Sequence, residues 1–413
     1  MTAAEKPNWG RRLIEVEVGP VAHGGHCVAR HEGRVLFVRH ALPGERVVVR
    51  VTEDNGGSYC RADAVEILEA SPDRVEPPCP FSGPGRCGGC DFQHVAWSAQ
   101  RELKAAVVAE QLSRLAKLDW DVTVEELPGG PLGWRTRMRM AVSRGGRAGF
   151  RGHRSHGVVE VDDCLISVPG STGTVVNRQW QPGGELLVTR DESGDVHVSE
   201  SRLQPRRGRG MVLTRPRAVK GGETAVELAA GRTWRLAATG FWQVHPAAAE
   251  TLAAVVGEWA AARPGMRAWD LYGGVGLFAS VLAEQVDVTG SVLVVESEAR
   301  AVRDGERNLS DLQQVGWRCG KVEDVLGSPE LVGDRPDVVV LDPPRKGAGK
   351  EVVAEVAQRQ PSRVVYVACD PAALARDVAE FADHGYRLAR LRAFDAFPMT
   401  HHVECVALLV PQA

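Results

Sequence analysis

At 413 residues, with 44% hydrophobic and 25% charged side chains, the chain has a globular composition large enough for two or three cores. No apolar run approaches the roughly 20 residues that cross a bilayer, which excludes a membrane-spanning helix and makes "no membrane" the expectation. The net charge of -3 argues neither for nor against nucleic acid, so its distribution along the chain matters more than its total.

The first residues, Met1 to Pro7, lack the apolar core of a secretion signal, and a cytoplasmic address is expected. Residues 10–68 alternate β-rich runs, Leu13 to Val18, Gly33 to Val38, Arg46 to Val51 and Ala62 to Leu68, with turns at Gly24-Gly25, Pro43-Gly44 and Asn55-Gly56-Gly57. Such spacing predicts a small closed barrel of about five strands. Its charges nearly balance, so it serves either as a local nucleic-acid contact or as a purely structural unit. The stretch from Pro77 to Cys90 is too rich in Pro and Gly for regular structure. Ser98 is placed to cap a helix whose apolar positions, Leu103, Val107 and Leu112, recur at helical spacing.

Residues 134–240 read as short strands broken by Pro182-Gly183-Gly184 and by the Arg-Gly stretch at 205–210. Residues 131–220 carry 16 Arg or Lys against 8 Asp or Glu, a surplus of +8 that leaves -11 for the rest, and this is the expected footprint of a polyanion. Within it Arg135, Arg137 and Arg139 would share one strand face, facing either RNA or solvent. From 247 onward helices and strands alternate, with a helix at 247–262 and strands at 267–271, 291–295, 337–341 and 364–368. Alternation of this kind signals a doubly wound parallel sheet, closed by an antiparallel edge pair from Tyr386 to Phe394 and His402 to Val410. The fold class is thus multidomain α/β: a β-barrel at 8–69, a β-rich central domain at 70–240, and a Rossmann-like domain at 241–413.

Ligands collect beyond the carboxyl ends of parallel strands. There lies the glycine-rich turn from Asp270 to Gly276, followed 20 positions after Gly276 by Glu296, which is placed to accept from ribose hydroxyls. Alone, this pattern suits NAD as well as S-adenosylmethionine. The stiff strand exit Asp342-Pro343-Pro344-Arg345 favours S-adenosylmethionine, and Arg345, where amino-group methyltransferases carry an aromatic, favours a ring-carbon target. C5 of uracil is too electron-poor to attack a sulfonium methyl unaided. A thiolate adding to C6 remedies this, and a base must afterwards take the C5 proton. Cys369 ends the apolar strand 364–368 and Glu404 starts another, so they are the expected nucleophile and base, although a buried core cysteine and a solvent-facing glutamate are the plainer roles for each singly.

Cys79, Cys87 and Cys90, with Cys164 as a fourth, form a thiolate set suited to zinc or to a 4Fe-4S cluster, and three clustered cysteines with one distant partner fit the cluster better. Nine cysteines at irregular spacing do not form a secreted disulfide framework.

These motifs together resemble the RNA uridine-C5 methyltransferases, in their iron-sulfur branch, which makes 5-methyluridine in ribosomal or transfer RNA. The resemblance spans nearly the whole chain. It likens residues 10–68, with Phe37 to Glu45, to a TRAM domain, and implies that Cys79, Cys87, Cys90 and Cys164 hold a cluster. The Phe241-Trp242-Gln243-Val244 stretch implies that Gln243 contacts S-adenosylmethionine together with Tyr272, Glu296 and Asp342. The sequences around Cys369 and from His401 to Glu404 match the nucleophile and proton-acceptor motifs. His245 stands where asparagine is more usual, Gly273 replaces a frequent cysteine, and the turn from Gly24 to Arg30 is atypical. RNA is the implied partner and a monomer the default state. A catalytically silent iron-sulfur RNA-binding protein and an NAD-dependent oxidoreductase remain as competing readings.

Overall fold

The computed structural model describes residues 8–206 and 210–412. The terminal stretch Met1 to Pro7 and the centre of the Arg-Gly stretch, residues 207–209, lie outside the described residues. Five strands, β1 (Leu13–Ala22), β2 (His26–His31), β3 (Arg34–Arg39), β4 (Arg46–Glu53) and β5 (Tyr59–Glu69), close into a barrel of order β1-β2-β3-β5-β4. Alternate Val and Ala side chains fill it, as the period of two requires. The strand at 26–31, which the sequence pattern did not separate, completes the ring.

Helix α1 (Trp97–Gln111) leaves the cysteine-containing loop. Its N-cap is Ala96, without a side-chain cap, so Ser98 lies inside the first turn instead of capping it. The entry is fixed by other means: Ala96 N–H donates to Asp73 O (2.8 Å), and the Gln100 amide donates to Val95 O (2.9 Å) and Phe92 O (3.2 Å). Strand β6 (Val124–Glu126) follows. The central sheet comprises β7 (Arg137–Val142), β8 (Ala148–Arg151), β9 (Val158–Glu160), β10 (Glu185–Arg190), β11 (Val196–Ser201) and, beyond the short hairpin of β12 (Leu203–Arg206) with β13 (Gly210–Leu213), β14 (Arg217–Lys220). One turn of helix, α2 (Gly173–Val176), packs against it.

A hairpin of β15 (Thr224–Ala229) and β16 (Arg232–Ala237) then places Trp234 and Leu236 in the core of the C-terminal unit, although both precede residue 241. That unit runs α3 (Ala248–Ala260), β17 (Arg267–Leu271), α4 (Leu277–Val286), β18 (Ser291–Glu296), α5 (Ala299–Asn308), β19 (Val315–Cys319), α6 (Val322–Leu326), β20 (Val338–Leu341), α7 (Lys350–Gln358), β21 (Arg363–Ala368), α8 (Pro371–Asp383), β22 (Tyr386–Asp395) and β23 (Glu404–Pro411). The sheet order is β19-β18-β17-β20-β21-β23-β22-β6. The first five strands are parallel, and β23 inserts antiparallel between β21 and β22. The expected terminal pair therefore does not form the sheet edge, because β6 pairs along β22 and covers it. Strand β19 escaped the sequence pattern because it is an exposed edge with no buried residue.

One buried ion pair ties α1 to the segment that leads into β23. Lys104 Nζ donates to Asp395 Oδ1 at 2.5 Å and to Phe397 O at 3.0 Å, and both charged side chains are sealed from solvent. Lys104→Ala leaves Asp395 buried without its counter-ion while Oδ2 already has no partner. The loss should be about 3–5 kcal/mol in urea unfolding, and the paired Lys104→Met, Asp395→Leu change should recover part of it. An unfolding midpoint unchanged in Lys104→Ala would show that the pair does not hold the segment.

Candidate active site

At the carboxyl edge of the sheet, β17 opens into Tyr272, β18 ends in Glu296, β20 exits at Asp342 and β21 at Cys369, while β23 begins with Glu404. Together with Gln243 these residues line one cavity of about 1230 Å³, so all six side chains expected to bind cofactor or react are brought into a single space. The antiparallel register pairs Ala368 with Cys405, and continued one step past the end of β21 it would set Cys369 opposite Glu404, whose carboxyl acts on the thiol. This juxtaposition follows from β23 inserting beside β21.

The glycine-rich turn is built over a buried carboxyl. Asp270 is fully buried, accepts from Ala279 N–H (2.9 Å), and is pushed up to about 7 by burial and by Asp342 and Glu296. A Cβ at Gly273 would lie 2.5 Å from a Val294 methyl and 2.9 Å from Asp270 Oδ2, so only glycine fits here, whatever other residue is usual. Tyr272 holds a left-handed φ of 64°, a conformation that costs a non-glycine residue on the order of 1 kcal/mol and is common at functional turns. Glu296 accepts from Gly274 N–H (3.1 Å) and Glu298 N–H (2.6 Å), which fixes its carboxylate at the rim. Asp342 is raised to about 7 by burial and Glu296.

Around Cys369 and Glu404 the electrostatics disfavour anions. Burial, then Glu404 and Asp342, push the Cys369 thiol up to about 12, opposed by the Arg345 guanidinium. Glu404 is raised well above the ordinary carboxyl range by burial and by Asp342. Arg345 Nη2 donates to His402 Nε2 (3.2 Å), an imidazole kept neutral because burial lowers it to about 3. His401 donates through Nδ1 to Asp91 Oδ2 (2.6 Å), and its backbone N–H reaches the same oxygen (3.1 Å). Asp91 and Phe92 N–H both donate to Met399 O (2.9 and 3.0 Å), so the cysteine loop clamps the segment that carries Glu404. Sequence reasoning missed Asp91, Gln100 and Lys104. The last two sit four apart on α1, a buried polar stripe that a search for helical spacing of polar residues would have found.

Phe241, 71% exposed, stands at the cavity rim. His245 lies deeper, buried and stacked on Trp134 (ring centroids 6.0 Å apart), and accepts from Ala247 N–H through Nδ1.

Burial chiefly raises the Cys87, Cys90 and Cys164 thiols, and neighbouring sulfurs add to it: Cys164 and Cys79 at Cys87, Cys164 and Cys87 at Cys90, and Cys79 at Cys164. N–H groups of Gly89, Gln93, and Ile166 with Ser167 point at these sulfurs. Among the described residues no group of three or more His, Cys, Asp or Glu is spaced as the ligands of a bound metal ion. The three arginines differ in exposure. Arg137 is buried against Glu227 (2.5 Å) and Gly240 O (2.9 Å), Arg135 lines the cavity, and only Arg139 is open to solvent. The hairpin β15-β16 covers the strand at that point.

Among the described residues no helix is long and apolar enough to cross a membrane. Residues 333–412 match the model of the tRNA (uracil-5-)-methyltransferase family and residues 11–65 that of the TRAM domain. An uncharacterized RNA methyltransferase of Streptomyces avermitilis is 51% identical over 97% of this chain and 98% of its own length. One from Corynebacterium diphtheriae is 38% identical over 96% of each. The fold is similar to that of Pyrococcus abyssi tRNA (uracil-54, C5)-methyltransferase, solved with S-adenosyl-L-homocysteine, at a TM-score of 0.71 and 22% identity over 96% of this chain and all of that one. The barrel, the β-rich middle and the C-terminal methyltransferase fold match that structure, and the relatives place the chain among the RNA methyltransferases. The chain belongs to the tRNA (uracil-5-)-methyltransferase family with a TRAM domain.

Proposed function

We propose that this enzyme methylates C5 of a uridine in ribosomal or transfer RNA, using S-adenosylmethionine and a transient bond between Cys369 and C6 of the base. One observation carries the reading: the register of β21 and β23 puts a thiol and a carboxyl opposite each other in the cavity that also holds Gln243, Tyr272, Glu296 and Asp342. S-adenosylmethionine supplies an electrophilic methyl when bound. Glu296, held by two backbone amides, suits the ribose hydroxyls, and the acidic pair Asp342 and Glu296 suits a cationic ligand.

Cys369 adds as its thiolate to C6, which moves the ring's electron pair to C5 and O4 and makes C5 the nucleophile; C5 would then bond to the sulfonium methyl as the methyl–sulfur bond breaks and its electron pair stays on the departing thioether. Glu404 then takes the C5 proton, the electrons return to the C5–C6 bond, and the C6–S bond breaks. Its raised proton affinity makes it the stronger base once ionised. To reach this depth the uridine leaves its stack. The barrel and the Arg-rich middle hold the RNA backbone, supported on the barrel by Arg61 over the rings of Phe37 (5.7 Å) and Tyr59 (6.0 Å), a patch suited to stacked bases. Trapping tests the reaction: RNA bearing 5-fluorouridine cannot release its C5 substituent, so a protein–RNA complex resistant to denaturation should accumulate with S-adenosylmethionine. Its absence would end the proposal.

We further propose that Cys79, Cys87, Cys90 and Cys164 hold a 4Fe-4S cluster, on the strength of an all-sulfur donor set already provided with N–H···S donors. The bound iron would hold the thiols as thiolates against the burial that keeps them protonated. Anaerobically purified protein should be brown, with iron and sulfide near four per chain. A colourless, iron-free, fully active protein would refute this.

A further inference from the structure

The turn joining β1 to β2, with its unusual His23-Gly24-Gly25 sequence, belongs to the barrel by sequence and packs against Asp370, Asp91 and His401 at the edge of the catalytic cavity. His23 Nε2 donates to Asp370 Oδ2 at 3.0 Å across 347 residues. Asp370 follows the nucleophile directly, and its other oxygen accepts from Ala373 N–H (2.8 Å) to cap α8. One carboxylate thus links the barrel, the exit of β21 and the start of α8.

Gly25 makes the second contact. At φ +75° a Cβ there would sit 2.7 Å from His401 Cβ and 3.3 Å from Asp91 Cβ, so the turn rests against the base of the His401 and Asp91 side chains and tolerates no side chain of its own. His401 packs on His402 (ring centroids 4.1 Å apart), which in turn accepts from Arg345 beside the thiol. From the barrel's β3, Arg39 reaches Asp91 Oδ1 (3.4 Å), the carboxylate that fixes His401. A barrel serving only to hold RNA could join the enzyme anywhere. This one touches the residue after the nucleophile and the residue three before the base.

We infer that the turn 23–25 is a positioning element of the active site, with His23 acting through Asp370 to hold the loop that presents Cys369. This rests on the methyltransferase reading above. The His23–Asp370 pair is partly solvent-exposed, with side chains 38% and 23% accessible, so it adds little to global stability. Positional error in a reacting group is far costlier, up to about 10²-fold in rate for 1 Å.

The test compares His23→Ala with His23→Gln, which keeps an N–H donor. Expected for His23→Ala is a fall in kcat of about tenfold or more with KM for RNA and the melting temperature unchanged, and recovery of most of the rate in His23→Gln. Gly25→Ala should lower kcat in the same direction by displacing His401. Alkylation of Cys369 by iodoacetamide, followed on its own peptide by mass spectrometry, makes the comparison without turnover: its rate should change in His23→Ala and return in His23→Gln. An unchanged alkylation rate, a loss confined to KM, or a fall in kcat that tracks a fall in melting temperature would each overturn the inference. A wild-type chain that forms no adduct with any RNA would instead overturn the methyltransferase reading, leaving the alkylation result to decide this one.

Discussion

Cys369→Ala is expected to lower methyl transfer to RNA by at least about 10⁴-fold and to abolish the 5-fluorouridine adduct, because among the described residues lining the cavity no other carries sulfur. The substitution removes one partly exposed atom at a strand exit, so the melting temperature should hold and the loss should be one of chemistry. The pH dependence follows from the surroundings of the thiol. Burial, Glu404 and Asp342 hold it neutral, pushed up to about 12, so the thiolate is scarce at neutral pH and grows about tenfold per pH unit. Single-turnover adduct formation should therefore rise steadily from pH 6.5 to 9. The Arg345 guanidinium pulls the thiol down, and Arg345→Ala should slow adduct formation and shift the same profile to higher pH. A flat profile would mean that the thiol is ionised by something other than its charged neighbours.

Much of the fold was legible because its determinants are local. Alternating apolar residues and Gly turns mark the barrel strands, and the short apolar runs ending at Leu271, Glu296, Leu341 and Ala368 mark the parallel sheet. What stayed hidden was set by distant partners. Val124–Glu126 is a three-residue strand only because β22 offers it an edge, and Arg137 looks like a solvent-facing charge until Glu227, 90 residues later, folds over it. The same holds for the site. Cys369 and Glu404 could be named from their motifs and strand ends, but their direct opposition depends on β23 inserting beside β21. Gly273 looked like an anomaly in the sequence, and the Val294 methyl, which a Cβ there would meet at 2.5 Å, explains it.

Glu404→Gln separates the two halves of the reaction. The amide matches the carboxyl in shape, so the buried start of β23 should keep its packing, and a like-charge interaction with Asp342 is relieved. Glu404 is also among the groups that raise the Cys369 thiol, so its neutral replacement can only lower that thiol's proton affinity. Addition to C6 should thus proceed at least as fast as in the wild type, and the methyl should transfer. With no base to take the C5 proton, the C6–S bond cannot break, and methylated RNA should remain bound to Cys369. Turnover should fall by about 10²–10⁴-fold while a stoichiometric, denaturation-resistant complex forms with ordinary uridine RNA. Glu404→Asp, which keeps a carboxylate one methylene further from the base, should form the same complex and discharge it slowly. Release of free methylated RNA by Glu404→Gln at the wild-type rate would assign the proton to another acceptor, and failure to form any complex would place Glu404 in the addition step instead.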